Sequence, residues 1–179
     1  MPSAAERRIF FALALAVVAA DLVTKFAAEG VLLRTAAIPV IGEWIQLRLV
    51  YNPGAAFGLF LGPYSRWIFL TIAVVAVVAL ERMSAAARTG DLPRQLALGS
   101  VAGGAFGNLL DRIRSPRGVV DFIDIGIGDV RWPTFNVADM AVTCGALLLA
   151  WSLWQEDAAL AAEQKRAASA AAARPREPS

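Results

Sequence analysis

Four apolar runs, at residues 9–28, 64–80, 96–110 and 137–154, dominate this chain, and each approaches the roughly 20 residues with which an α-helix crosses a bilayer. Backbone amides cannot go unpaired in lipid, so such runs must become helices that pack on one another. With 58% hydrophobic and 18% charged residues, the 179-residue chain is too apolar for an ordinary soluble domain. The fold class expected is a membrane all-α bundle of four transmembrane helices, one domain over residues 1–155. The third run is short, and its extra length is expected from neighbours such as Pro93 and Asp111, buried among the other helices.

Arg7 and Arg8 followed by "IFFALALAVVAA" also fit the start of a cleaved signal peptide. The apolar stretch, however, runs past Asp21 to Phe26 and Ala28, and Asp21 and Lys25 stand one helical turn apart, at ion-pair spacing. A retained first helix is therefore expected. Four spans put both termini on one side and loops 29–63 and 111–136 on the other. Lys and Arg divide almost evenly between the two faces, but Arg7 and Arg8 ahead of the first helix favour cytoplasmic termini. Trp67, Trp151 and Trp154 fall at helix ends, as in an aromatic belt.

Within loop 29–63, "EWIQLRLVYN" alternates Ile45, Leu47, Leu49 and Tyr51 with Trp44, Gln46, Arg48 and Val50, the period of a strand. "IPVIGEW" supplies a partner strand before a Gly turn, and "YNPGAAFG" leaves through a Pro-Gly turn, so a small extracytoplasmic β element is expected. Gly99, Gly103 and Gly107 recur every four residues on the third helix, the spacing that lets helix backbones approach closely in lipid. Residues 156–179, rich in Ala, Glu, Lys, Arg and Pro, read as a cytoplasmic tail that frays from the last helix into disorder.

The chain has no histidine and one cysteine, Cys144, which excludes Ser-His-Asp and Cys-His sites, His-containing zinc sites and any internal disulfide. Cys144, in an apolar helix, is expected as a small core residue. A net charge of +2 gives no reason to propose nucleic acid as a partner.

Polar residues nonetheless gather at one end of the bundle. On the third helix Gly104, Asn108, Asp111 and Arg112 share a stripe, and on the fourth Asn136, Asp139 and Thr143 share another. A solvated helix end would account for Asp111 and Arg112, but Asn108 and Asp139 lie where unsatisfied polar groups are costly, so the two stripes are expected to face each other. The chemistry open to such a site is a short menu: a carboxylate pair activating water, a Ser-Lys dyad, a hard cation, or a polar path for an ion. Ser65 and Ser115 are the serines within plausible reach of Lys25, and neither sits in a sharp Gly-flanked turn. No carboxylate cluster has the short fixed spacing of a cation loop. A pair of aspartates fits better. Asp121 ends the β-prone run "GVVDF", Asp139 lies in the first turn of the fourth helix, and in a poorly hydrated site one acid holds a proton while the other takes one from water.

"DLVTK", "YNPGAAFG", "GGAFGNLLDR", "GVVDF" and "FNVAD", in this order over about residues 9–155, resemble the lipoprotein signal peptidases, the bacterial type II signal peptidases. The resemblance implies an intramembrane aspartic endopeptidase of the bacterial inner membrane. It would cut a diacylglyceryl-modified prolipoprotein on the N-terminal side of the lipidated cysteine, near the extracytoplasmic face. It makes Asp121 and Asp139 the catalytic dyad, and Asp21, Lys25, Asn52, Gly54, Asn108, Asp111, Arg112, Asn136 and Ala138 the residues that bind substrate or support the site. No metal and no cofactor are expected, and the partners are the prolipoprotein and membrane lipid, with the enzyme acting as a monomer. Pro53, Phe106 and Met140 depart from the family's usual choices, but none falls on an ionisable site residue. Asp124 and Asp129 match no catalytic position and are expected as surface charges. The alternative reading is a small transporter or channel subunit with intramembrane carboxylates, which predicts polar residues through the full depth of the membrane.

Overall fold

The computed structural model describes residues 1–54 and 59–172, so the second half of the "YNPGAAFG" block and residues 173–179 lie outside the described residues. Four helices, α1 (Ala4–Val31), α2 (Ser65–Ala86), α3 (Leu92–Arg114) and α4 (Val137–Ala172), carry a small sheet at one end. The sheet is antiparallel, in the order β1 (Ile38–Ile41), β2 (Ile45–Asn52), β3 (Val119–Ile127), β4 (Val130–Arg131). Its first two strands come from the loop between α1 and α2 and its last two from the loop between α3 and α4, so pairing β2 with β3 ties the two long connections into one cap.

Local chemistry sets the helix ends. Ser3 and Glu6 form a reciprocal capping box at the start of α1, and Asp91 accepts the Arg94 N–H at the start of α3, where Pro93 leaves no donor unmet. At its far end α3 exposes carbonyls that α2 satisfies: Arg66 Nε donates to Arg112 O at 2.7 Å and Nη2 to Ile113 O at 3.1 Å.

Helix α3 lies against α1, α2 and α4. Its glycines make that central position possible: a Cβ at Gly99 or Gly103 would collide with the α1 backbone at Phe10 or Ala14, and one at Gly104 with the α4 backbone at Ala138. Burial also explains its composition. Among the described residues three helical segments, Ala4–Val31, Gly62–Ala86 and Val137–Arg166, are long and apolar enough to cross a membrane, and α3 is not among them. A helix shielded from lipid by three others need not be apolar all round. It is also longer than the run at 96–110, gaining a turn at each end.

The strands form where the alternation in "EWIQLRLVYN" places them, with an irregularity between Leu47 and Val50. Leu49, Val120 and Phe122 of the sheet pack with Ala28 and Leu32 at the end of α1, a buried cluster that seats the sheet on the bundle. Full burial of each such side chain is worth roughly 1.5–3 kcal/mol.

Helix α4 continues into the tail, where a helical extension is expected, as far as Ala172, because the tail's Ala, Glu, Gln, Lys and Arg are strong helix formers that extend an existing helix without a new nucleus. Two sequence expectations are corrected. Asp124 is buried, 3% exposed, with its Oδ1 accepting from Arg131 Nε at 2.7 Å. The short β4 brings Arg131 back over β3, which sequence spacing does not reveal; Asp129, in the turn between them, is exposed as expected. Cys144 is exposed rather than in the core, since its neighbour Gly145 is the residue that packs on Ala97 and Val101 of α3.

Candidate active site

The start of α4 is a reciprocal cap made by Asn136 and Asp139. Asn136 Oδ1 accepts the Asp139 N–H at 2.9 Å, and Asp139 Oδ2 accepts the Asn136 N–H at 3.1 Å. This box fixes the Asp139 carboxylate and leaves the Asn136 amide nitrogen facing β3. That Nδ2 lies 2.7 Å from Asp121 Oδ1, 3.2 Å from Val120 O and 3.1 Å from Asn108 Oδ1. Asn108 in turn donates from Nδ2 to Asp139 Oδ1 at 2.8 Å. Two asparagines therefore link the two aspartates, Asn136 from beneath Asp121 and Asn108 from beneath Asp139.

Below this layer Lys25 is 1% exposed and held by three groups: it pairs with Asp21 Oδ2 at 2.7 Å and Asp111 Oδ2 at 2.8 Å, and donates to Asn108 Oδ1 at 2.9 Å. Each carboxylate it holds also grips the backbone beside one aspartate. Asp21 Oδ1 accepts the Ala138 N–H at 2.9 Å, and Asp111 Oδ2 accepts the Val120 N–H at 3.1 Å. Lys25 is thus a yoke between the residue preceding Asp139 and the residue preceding Asp121. Its ammonium is held by these three groups, and neither Ser65 nor Ser115 is one of them.

Arg112 crosses the same layer. Its Nη1 donates to Asn108 O at 3.0 Å and its Nη2 to Gly54 O at 2.7 Å, while its Nε is buried with no acceptor among the described residues. Asn52 accepts the Gly54 N–H at 3.0 Å and hydrogen-bonds Asp121 through its side chain. Gly118 lets β3 begin this close to β2: its φ is +99°, and a side chain there would strike the Asn52 carbonyl.

Asp121 and Asp139 both line a cavity of about 530 Å³, together with Asn52, Asn108, Arg112, Val119, the segment Trp132, Pro133, Thr134 and Phe135, and Met140, Val142, Thr143 and Cys144 of α4. Asp121 is 2% exposed, and burial first, then the Asp139 charge, pushes its pKa up to about 7 against the opposing pull of Asn52, Asn136 and Lys25. Among the described residues no three His, Cys, Asp or Glu side chains are grouped to hold a metal ion.

Every residue singled out in the sequence, Asp21, Lys25, Asn52, Gly54, Asn108, Asp111, Arg112, Asp121, Asn136, Ala138 and Asp139, belongs to this one connected network. Asp111 and Arg112 are buried in it rather than solvated at a helix end. Sequence reasoning missed the wall, Trp132 to Phe135 with Val119, Met140, Val142, Thr143 and Cys144. Apart from Thr143 on the Asp139 stripe, these side chains carry no ionisable or periodic signal. The wall is aimed by backbone pairing, with Phe135 bonded to Phe122 and Ile123, and Trp132 to Ile125.

The architecture recurs in solved bacterial membrane enzymes. One determined by the in meso method superposes with a TM-score of 0.75 at 30% identity, covering 83% of this chain and 88% of the other. A second gives 0.71 at 31%, covering 80% and 91%. Among sequences, the chain is similar to the lipoprotein signal peptidase of Pelotomaculum thermopropionicum, 41% identical over 133 residues, 74% of this chain and 83% of that protein. That of Moorella thermoacetica is 40% identical over 144 residues, 80% of this chain and 91% of that protein. The profile of the family described as Signal peptidase (SPase) II matches residues 13–155, which holds the four-helix core, the sheet and every residue of the network. With the profile, the relatives and the fold in agreement over that length, the chain belongs to the signal peptidase II family.

Proposed function

We propose that this chain is a lipoprotein signal peptidase of the bacterial inner membrane that cuts diacylglyceryl-modified prolipoproteins on the N-terminal side of the lipidated cysteine, using Asp121 and Asp139 to activate water. The observation that carries the reading is the linkage of two carboxylates through Asn136 and Asn108 at the edge of one cavity. Asp139, whose oxygens accept two N–H bonds, serves as the base that takes a proton from water. Asp121, half-protonated near neutral pH, gives its proton to the scissile carbonyl oxygen as the water oxygen adds to the carbon. The proton held by Asp139 then passes to the departing nitrogen as the C–N bond breaks, and Asp121 takes back a hydroxyl proton from the gem-diol as the carbonyl re-forms, which returns both acids to their starting states.

In this reading the four helices each cross the membrane, both termini are cytoplasmic, the sheet and cavity lie at the extracytoplasmic face, and the enzyme acts as a monomer. The substrate's acyl chains run from the cavity along the exposed face of α4 past Met140 and Leu147. Binding energy from those remote chains orients the peptide at the dyad. The transporter alternative predicts polar residues at every depth, and the stretch of α3 at Ala97, Leu98, Ala102 and Gly103, between the site and the far end, is buried and apolar.

The test is incubation of the purified protein with a lipidated prolipoprotein and with its unlipidated precursor, alongside Asp121→Asn and Asp139→Asn. Cleavage of the lipidated form alone, abolished in both folded variants, is expected. Near-normal turnover by either variant refutes the dyad, and equal cutting of both precursors refutes the role of the acyl chains.

A further inference from the structure

Beside the network that holds the dyad, one cluster of positive charge is only partly neutralised by the described residues. Where α1 ends, Glu29 meets three partners: Arg114 Nη2 lies 2.9 Å from its Oε2, the Tyr51 hydroxyl donates to Oε1 at 2.9 Å, and Arg117 Nη2 pairs with Oε1 at 3.6 Å. The Arg117 guanidinium sits 3.9 Å from the centre of the Tyr51 ring and that of Arg34 sits 5.2 Å from it. Arg34, Arg114 and Arg117 thus crowd one carboxylate and one ring. Asp111 also touches Arg114, at 3.2 Å, but it is already shared with Lys25 at 2.8 Å. Among the described residues Arg34 makes no ion pair. With Asp21 and Asp111 counted against Lys25 and Arg114, and Glu29 against one more arginine, the cluster holds about one positive charge more than its carboxylates neutralise.

Its depth is marked independently. The Arg114 guanidinium stacks 4.7 Å from the Phe26 ring, and Phe26 and Val23, 56% and 67% exposed, belong to the outward apolar face of α1. Guanidinium groups therefore stand beside outward apolar side chains of the last turns of α1, as at the level of phospholipid headgroups. An ion at this spot meets water on one side and hydrocarbon on the other. A soluble anion could use only the first, whereas a lipid phosphodiester uses both, with its acyl chains on Val23 and Phe26.

We propose that Arg34, Arg114 and Arg117, arranged about Tyr51 and Glu29, bind the phosphodiester headgroup of an anionic phospholipid at the sheet end of the bundle. The uncompensated charge selects an anionic headgroup over a zwitterionic one, whose own cation would meet the arginines. None of these side chains lines the cavity of the aspartates, so the site is separate from the place of cleavage and does not depend on the reading of that cavity.

The test is mass spectrometry of the intact protein in detergent, supplied with equal amounts of phosphatidylglycerol and phosphatidylcholine. The wild-type protein should retain phosphatidylglycerol preferentially. Arg34→Ala with Arg117→Ala should weaken that retention roughly 25-fold, at about fivefold per arginine near an anionic surface. Arg88→Ala, at the other end of the bundle where Arg88 pairs with Glu156, should leave it unchanged. Arg34→Lys with Arg117→Lys keeps the charges and should retain most of the binding, which separates loss of charge from loss of fold. Cleavage activity in detergent should survive in both double variants. Equal retention of the two lipids by the wild type, undiminished retention by the double alanine variant, or displacement of the lipid by inorganic phosphate would each overturn the proposal.

Discussion

Replacing Lys25 by methionine tests the idea that one buried cation holds both halves of the site. Methionine matches the lysine stem in length and fills its space, so the packing of α1 on α3 stays intact while the charge, its two ion pairs and its hydrogen bond to Asn108 disappear. Asp21, 0% exposed, is then left without an ion-pair partner among the described residues, and Asp111, also 0% exposed, keeps only Arg114 at 3.2 Å. Removing one partner of a buried pair costs about 3–5 kcal/mol, and because this cation serves two carboxylates the upper end applies, about 5 kcal/mol. For a chain of this size that corresponds to a fall in Tm of about 10–20 °C, read by thermal unfolding in detergent. Cleavage should be lost as well, since the grips on the Ala138 and Val120 N–H groups loosen together. Adding Asp21→Asn and Asp111→Asn removes the stranded charges but keeps an oxygen for each N–H, so the triple variant should regain at least half of the lost stability. A Lys25→Met protein that unfolds within about 3 °C of the wild type, or a triple variant less stable than Lys25→Met alone, would refute the argument.

Asp121 carries a pH dependence whose sign follows from its raised pKa. Between about pH 4, where the unfolded carboxyl ionises, and pH 7 the folded state binds more protons, so the stability from this group is complete below pH 4 and lost as pH rises to 7, by at most about 4 kcal/mol. Asp121→Asn should flatten the slope of Tm against pH over that window, and an unchanged slope would exclude the effect. Activity on a lipidated substrate should fall above about pH 7 as the acid is lost, and EDTA should not alter it. For topology, reporters fused after residues 45 and 125 should map outside and those after 88 and 170 to the cytoplasm; cytoplasmic labelling at 125 would place the aspartates on the wrong side for an exported substrate.

The sequence by itself determined the elements and much of the chemistry. Apolar length dictates helices in lipid, strict alternation marks β2, and glycines four apart mark the face of α3 that meets α1, because these signals are local and set by period. Without histidine, the absence of imidazole chemistry needed no structure, and the motif order was specific enough to pick out the network residues. Partnership across the chain was a different matter. That Lys25 would reach Asp111 and Asn108, or that the "NVAD" box would turn the Asn136 amide toward Asp121, depends on how α1, α3, α4 and β3 pack, and no period encodes it. The same holds for Asp124, which a two-residue strand brings under Arg131, and for Cys144, turned out of the core because Gly145 takes the contact with α3. Only the tertiary structure decided the wall from Trp132 to Phe135, because those side chains are aimed by backbone pairing to β3 rather than by anything in their own sequence.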